Sequence, residues 1–402
     1  MEIQEYANKM RKIYSLFLEY IDCTVDEKEE NLRVFLDMLN SQNTFDDLDE
    51  IYEILVLISN VSKTHYRDQD FFAKIEKLLD FFTERIKQSF TNFQIFNIFK
   101  SNKRILLFLF EHKIIEIDQS ILDFILNSKK EKYQSYKFYF FNEIKEKIST
   151  EMKKYLEDEL IAYDPNVFNN FHEKCLIGEN EAYICLLIRN DSVKEFIIYI
   201  NQNNITLSNC IRKSIFETNS LLIGGKEPTL IEYSSFFGSI QIFQFLLLNN
   251  VNLNSSLWKY SIHGRNPEII HLLEDNHVEV NYLNISFKCH HNELVHYFED
   301  NYYYRIEYYG EATECQRNTS LISAIKDLFK FKKNDTIDRE KIFKNRIFIN
   351  GFHYHNGEFM PDNFNNKLFF KYFCAFNYPK LVKLFLKYKI VDVNYELINA
   401  SI

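Results

Sequence analysis

Glycine and proline are scarce in this sequence. Its 402 residues include 8 glycines and 5 prolines, whereas average usage would give about 28 and 20. Few residues are therefore suited to tight turns, hairpins or phosphate-binding loops, so a β-sandwich, a Rossmann domain and a collagen-like chain are poor fits. Because 46% of the residues are hydrophobic and 26% are charged, the chain can still bury a core and does not belong to the disordered class.

Long apolar runs and paired cysteines are also missing. No stretch of about 18 apolar residues occurs, and charges are spread through the first residues, MEIQEYANKMRKIY, so we expect neither a membrane span nor a signal peptide. The seven cysteines are an odd number without a CxxC pair, which is typical of a reduced intracellular protein. We therefore expect a cytoplasmic protein without disulfides. The net charge of −9 repels a phosphate backbone, so nucleic-acid binding is not expected.

A helical period dominates the sequence. In the first half, apolar residues spaced three and four apart predict helices near residues 4–22, 29–40, 46–62, 69–89, 102–113, 118–127 and 131–158. Breaks fall where Asn, Ser, Thr and Asp cluster, because these side chains end one helix and cap the next. Alternation with period two is rare, and only short stretches such as Arg346–Phe352 favour an extended strand. The sequence predicts an all-α fold.

One amphipathic segment recurs along the second half. The stretch EIIHLLEDN at Glu268–Asn276 returns 25 residues later as ELVHYFEDN at Glu293–Asn301. The same pattern fits Ile242–Asn254, Glu195–Leu207 and Leu381–Asn394. A spacing of this size holds two short helices and a connection, so each unit would bury its apolar face only by stacking on its neighbours.

The best-preserved unit shows how a helix, a tight turn and a second helix follow one another. Thr229 and Glu232 form a predicted capping box at the start of the first helix. Gly238 is suited to the left-handed turn that ends this helix, and Ser239 is predicted to cap the second one. In the next unit, Asn266–Glu268 supplies a cap, a first-turn proline and an acidic residue, all favoured at a helix start.

These residues carry a resemblance. Thr229–Asn254 resembles an ankyrin repeat, whose pattern T-P-L-H-x-A-A, G-H, apolar helix, G-A-D-V-N is matched by Thr229, Ile231, Gly238 and Asn254. Four positions depart from the pattern: Leu230 for Pro, Glu232 for His, and Arg265 and His290 for Gly. Further phrases resemble a large ankyrin-repeat family of parasitic protists that joins a helical domain of unknown function to the repeats: His65–Leu79, Phe96–Ile115, Ser214–Ser220, Pro228–Phe243 and His263–Glu279. The resemblance implies a helical solenoid with an interaction role.

Signals of catalytic or metal chemistry are weak. Gly224–Lys226 lacks the upstream glycine and the following Ser or Thr of a phosphate loop, and we interpret it as the turn before the first helix of the unit. Cys289–His291 and the pair His353 and His355 have no second set of ligands at zinc-finger spacing. We therefore expect no catalytic residues, no metal and no cofactor.

The predicted architecture is an elongated all-α solenoid of ankyrin-like helix-turn-helix repeats with an N-terminal helical region. Its predicted parts are an N-terminal helical domain at 1–170, ankyrin-like repeats at 175–302, a divergent connecting segment at 303–368 and a C-terminal repeat at 369–402.

The predicted function is protein–protein interaction, without catalysis and without a membrane span, and with a partner that the sequence does not identify. The resemblance places the contact surface on the finger turns and on the variable pair before each inter-helix turn. These positions are Lys226, Pro228, Phe236, Phe237, His263, Gly264, Lys288, Cys289, Ala375 and Phe376. Two alternatives stay open: an enzyme with an unrecognised site in the N-terminal or 303–368 region, and an RNA-binding helical solenoid.

Overall fold

Regular structure in the described part of this protein is helical. The computed structural model describes residues 2–41, 44–68, 70–282, 284–302, 339–360 and 367–388. Apart from one isolated β-bridge between Cys210 and Thr229, all regular elements in these residues are helices, which confirms the predicted all-α class. No helix in the described residues is both long and apolar enough to span a bilayer.

The helices are numbered here in chain order. They are α1 Glu2–Asp22, α2 Lys28–Ser41, α3 Leu48–Thr64, α4 Phe71–Ser89, α5 Asn92–Phe99, α6 Lys103–Glu111, α7 Gln119–Asn127, α8 Tyr136–Tyr139, α9 Phe141–Ile144, α10 Thr150–Tyr163, α11 Phe171–Ile177, α12 Tyr183–Arg189, α13 Val193–Gln202, α14 Ser220–Ile223, α15 Leu230–Phe236, α16 Ile240–Leu248, α17 Leu257–Gly264, α18 Pro267–Asp275, α19 Asn284–Lys288, α20 Asn292–Tyr302, α21 Arg339–Tyr354, α22 Lys367–Ala375 and α23 Pro379–Lys387. Short 3-10 helices lie at Thr44–Asp46, Glu131–Tyr133 and Gly357–Phe359.

Six of the seven helices predicted in the first half match α1–α4, α6 and α7, and two predictions were wrong. The long helix predicted at 131–158 is broken into short pieces, and α10 begins where the Ser149 hydroxyl accepts a hydrogen bond from Met152 N at 3.3 Å. The stretch Arg346–Phe352 lies inside α21 and is helical. In α21 the backbone at Gly351 packs closely on Phe359, so tertiary packing overrides local strand preference.

The described chain forms two compact units. Unit 1 contains residues 1–60 and 286–402 as far as they are described, and unit 2 contains residues 61–285. The predicted boundaries do not follow this division, because the 1–170 region is split at residue 60 and the 175–302 region at residue 285. In unit 1 the first helix α1 contacts both α2 and the last described helix α23. Hydrophobic periodicity does not report contacts between distant chain segments. Most of the predicted connecting segment, residues 303–338, lies outside the described residues.

Three consecutive helix pairs stack in unit 2. The first helices of the pairs contact in the order α12, α15, α17, and the second helices in the order α13, α16, α18. Leu246 in α16 and Leu273 in α18 are fully buried, as the repeat phasing predicted. Ser235 and Ser261 approach closely enough for their hydroxyls to hydrogen bond at 2.6 Å, because small side chains let α15 and α17 pack tightly.

Every recurring helix pair has a left-handed residue in its inter-helix turn. The positive φ angle at Gly238, 68°, confirms the predicted turn. The equivalent positions in the other pairs, with their φ angles, are Asp191 at 48°, Arg265 at 52°, His290 at 58° and Asn377 at 66°. Four of these five residues are not glycine, so the turn geometry persists although a β carbon makes it unfavourable.

Caps at two helix starts are as predicted. Thr229 N donates to the Glu232 carboxylate at 2.8 Å, and Glu232 N donates to the Thr229 hydroxyl at 3.4 Å. This pair of bonds is a capping box at the start of α15. Asn266 accepts from Glu268 N at 2.9 Å, with Pro267 as the first helical residue of α18. Local sequence therefore determines where these two helices begin.

The predicted cap at Ser239 was wrong. Its hydroxyl donates to the carbonyl of Ile188 in the preceding helix pair, at 2.6 Å. The Asp191 carboxylate of that preceding pair accepts from the backbone N–H groups of Gln241 and Ile242, each at 2.9 Å. The start of α16 is thus capped by the neighbouring pair, because stacking brings the carboxylate of one turn to the helix start of the next.

Candidate functional site

The ten predicted contact positions differ in their exposure. Lys226 and Ala375 are exposed, while Phe237 and Lys288 are half-buried. The other six are buried: Pro228, Phe236, His263, Gly264, Cys289 and Phe376. The prediction that these six lie at the surface was wrong, because a buried residue does not reach a partner.

Stacking of neighbouring pairs explains the burial of Phe236 and His263. The rings of Phe236 and His263 lie parallel, 3.7 Å apart, and His263 Nδ1 is 3.0 Å from the Phe236 carbonyl oxygen. Phe236 therefore faces the next pair instead of solvent. Burial also lowers the pKa of His263 to about 3, so its imidazole is neutral. Phe236 is a packing residue, and the expectation that it anchors a partner was wrong.

Sequence reasoning missed the pair equivalent to these positions in the first helix pair, Arg189 and Asn190. Arg189 Nε lies 2.8 Å from the Glu179 carboxylate, and Nη1 donates to the Asn180 carbonyl at 2.8 Å. Its guanidinium carbon lies 6.0 Å from the centre of the Phe237 ring, while Asn190 is exposed. We call Arg189, Asn190 and Phe237 the turn face. The turn-forming residues that follow Arg189, Asn-Asp-Ser, were the available signal.

A buried polar cluster joins the repeats to the helices that precede them. The segment 214–220 lies at its centre. Arg67 Nη1 donates to the Thr218 hydroxyl at 2.9 Å, and that hydroxyl donates to the Gly178 carbonyl at 2.7 Å. Asn219 Nδ2 lies 3.1 Å from His263 Nε2. We call this cluster the polar seam; its members are Arg67, Lys103, Arg104, Glu217, Thr218, Asn219 and His263.

Lys103 is the most deeply placed cation of the polar seam. Its ammonium donates to the Ile215 carbonyl and to the Ser135 hydroxyl, the latter at 3.2 Å, and lies 4.7 Å from the centre of the Tyr139 ring. Burial lowers the pKa of Lys103 to about 7, because the charged form loses its hydration. Its partners come from the chain itself, so Lys103 holds the 214–220 segment in place.

The polar seam gathers residues from four of the phrases singled out in the sequence. Arg67, Lys103, Thr218 and His263 come from four separate stretches of the chain, and all lie in unit 2. Comparisons of the chain with models of protein families, with curated proteins and with solved structures find no match. The role of the polar seam is therefore inferred from its geometry: it joins the helices from α4 to α11 to the stacked pairs.

Metal-ligand geometry is not seen in the described residues, where no group of three or more His, Cys, Asp or Glu side chains could hold an ion. Cys289 to His291 form an inter-helix turn, as the repeat pattern predicted, and Cys289 is fully buried in it. Gly225 has a φ of 88° and is exposed. The Gly224–Lys226 stretch is thus a turn ahead of α15.

Unit 1 contains a separate charged cleft of about 940 Å³ between α1, the start of α3 and α23. Lys9 pairs with Glu50 at 2.5 Å. Below these residues, Tyr6 OH donates to one oxygen of Glu53 at 2.7 Å, and the backbone N of Lys380 donates to the other at 3.1 Å. Burial raises the pKa of Glu53 to about 8, so its carboxyl is largely protonated at neutral pH.

The raised pKa of Glu53 predicts a specific pH dependence of stability. Between about pH 4.5 and 8 the folded state keeps a proton that the unfolded state releases, so this group lowers stability by up to about 1.4 kcal/mol per pH unit as pH rises. We expect Glu53→Gln, which removes this titrating group, to gain stability relative to the parent by about 4 kcal/mol between pH 5 and pH 9. Urea unfolding at both pH values measures the difference.

Glu2→Gln is the matched control for this prediction. The Glu2 carboxylate pairs with Lys387 at 2.7 Å on the surface, and this partner lowers its pKa. Glu2→Gln should therefore show no gain between pH 5 and pH 9. If Glu53→Gln behaves like Glu2→Gln, Glu53 is ionised in the folded protein and the assigned burial is wrong.

Proposed function

We propose that this protein binds another protein through a solenoid of ankyrin-like repeats, and that it belongs with the protist ankyrin family it resembles. The observation that carries the proposal is the recurrence of one turn geometry. Five helix pairs place a left-handed residue at the same point between their helices, and three of them stack first helix on first helix and second on second. Such an array brings the exposed residues of successive turns, which differ from pair to pair, to one side of the stack.

The turn face is the best-supported contact surface in unit 2. Glu179 and the Asn180 carbonyl hold the Arg189 side chain, so little conformational entropy is lost when a partner contacts it. Arginine and aromatic side chains are enriched among the residues that dominate binding energy, and Phe237 places a half-buried ring beside this arginine. Lys226, exposed in the turn before α15, remains a predicted contact.

Two buried groups with strongly shifted pKa values, Lys103 and Glu53, support binding over catalysis. Lys103 donates to Ile215 and Ser135, and Glu53 accepts from Tyr6 and Lys380. Both groups are therefore engaged by the chain's own atoms. A catalytic acid or base needs a reacting atom within hydrogen-bond reach, and these contacts serve packing instead.

Affinity purification from the native cell tests the proposal. The tagged parent should capture a protein partner. The double variant Asn190→Arg, Phe237→Ala should capture at least tenfold less of this partner, because it adds bulk and charge to the turn face and removes the aromatic ring. Circular dichroism of the purified variant establishes that it is folded.

Gln244→Arg provides the matched control. Gln244 is exposed on α16, the second helix of the pair that contains Phe237, so this change adds the same charge away from the turns. It should keep the partner. A folded double variant that retains every partner would contradict the assigned face, and capture of RNA that nuclease treatment removes would favour an RNA-binding solenoid instead.

A further inference from the structure

We propose that the polar seam contains a binding site for an ordered water molecule, held by Arg67, Arg104 and Glu217. The water would accept hydrogen bonds from the two guanidinium groups and donate one to the carboxylate. It would complete the attachment of the 214–220 segment between the preceding helices and the repeats.

Arg67 presents an unused edge to this site. Its Nη1 donates to the Thr218 hydroxyl at 2.9 Å. The two remaining nitrogens, Nε and Nη2, are inaccessible to solvent and have no hydrogen-bond partner. These two donors lie on the same side of the planar guanidinium, which is the edge that binds an acceptor through two parallel bonds. A buried donor without a partner is costly, so this edge requires an acceptor.

Arg104 contributes a second donor beside the same aromatic ring. Its Nε donates to the Leu176 carbonyl at 2.7 Å, and Nη2 pairs with Glu76 at 2.5 Å. Its Nη1 is buried and has no hydrogen-bond partner. The guanidinium carbons of Arg67 and Arg104 lie 4.7 Å and 5.2 Å from the centre of the Phe72 ring. Both guanidinium groups therefore lie against the same Phe72 ring.

Glu217 supplies a hydrogen-bond acceptor, so the ligand must also be able to donate a hydrogen bond. One carboxylate oxygen accepts from the backbone N–H groups of Thr218 and Asn219, at 2.9 Å and 2.7 Å. The other oxygen, Oε2, is buried and has no hydrogen-bond partner. Burial raises the pKa of Glu217 and lowers that of Arg67, and the charge of each group partly opposes the shift of the other. The two side chains form no hydrogen bond with each other.

Water is the ligand that fits this set of groups. It accepts from arginine donors and donates to a carboxylate, and buried waters typically make about three such bonds. A small anion would accept from the same arginines, but the carboxylate of Glu217 would repel it. A bridge through water costs little compared with a direct hydrogen bond, so the pair is stable without direct contact.

A crystal structure of the full chain, grown in bromide-containing solution, tests the site. We expect a water density peak about 2.7–3.2 Å from Arg67 Nε or Nη2 and from Glu217 Oε2, without anomalous signal from bromide. An anomalous peak at this position would overturn the proposal in favour of an anion. A direct Arg67–Glu217 ion pair with no density between the side chains would overturn it as well.

A second structure, of Glu217→Gln, separates water binding from charge. The amide retains a hydrogen-bonding oxygen but has no charge, so a peak of water, or of bromide now that the carboxylate no longer repels it, should remain at the same position. If bromide replaces the water in Glu217→Gln alone, the carboxylate is what selects water, and the proposal is supported. Loss of all density in this folded variant would show that the site does not bind through hydrogen bonds, and would contradict it.

Discussion

Replacing Gly264 with alanine is expected to destabilise the protein by about 2 kcal/mol or more, the range for overpacked sites. Gly264 is the buried last residue of α17. A β carbon there would lie 2.2 Å from the carbonyl oxygen of Ser235 and 3.0 Å from the backbone N of Gly238. Both obstacles are backbone atoms of the neighbouring pair, so α15 would have to move. Alanine normally favours a helix over glycine by about 1 kcal/mol. A loss of stability in this variant would therefore indicate the backbone clash.

Urea unfolding of Gly264→Ala and Gly224→Ala provides the test. At Gly224 an added β carbon would meet only the Ser220 carbonyl oxygen, at 3.4 Å, an ordinary contact. We expect Gly224→Ala to change stability by less than about 0.5 kcal/mol. If Gly264→Ala is as stable as the parent, α15 and α17 do not approach as closely as described.

Leu246→Ala and Leu273→Ala are each expected to cost about 2–5 kcal/mol, the usual range for a buried leucine. Both side chains are completely buried in second helices of adjacent pairs. Each truncation leaves a cavity whose walls, formed by neighbouring helices, close only in part. Chemical denaturation of each variant measures the loss.

Leu248→Ala is the control for these two leucines. Leu248 lies in the same helix as Leu246, but 81% of it is exposed, so its truncation should stay within about 0.5 kcal/mol. Similar losses for Leu246→Ala and Leu248→Ala would mean that α16 is rotated and that the repeats are wrongly phased.

Local features of the fold were predictable from the sequence. The helical class, the capping box at Thr229, the cap at Asn266 and the left-handed Gly238 all depend on residues within one turn of each other. Signals of this kind act over three to five residues. The buried leucines also followed from the period, since apolar residues on one helix face indicate which side is packed.

Contacts between separate segments were not predictable. Ser239 binds the carbonyl of Ile188 from the previous pair, and His263 packs flat on Phe236. The turn positions were predicted as surface because a repeat motif describes one unit, whereas burial depends on what the next unit places against it. The polar seam was missed for the same reason, because Arg67 and Thr218 are 151 residues apart.

Site-specific photo-crosslinking tests the central claim, that the turn face binds a protein, most directly. A photoreactive phenylalanine analogue is placed either at Asn190, on the turn face, or at Gln244, exposed on α16, and the cells are irradiated. The account predicts a discrete protein adduct from position 190 and none of that size from position 244. Adducts from position 244 alone, or to RNA instead of protein, would contradict it.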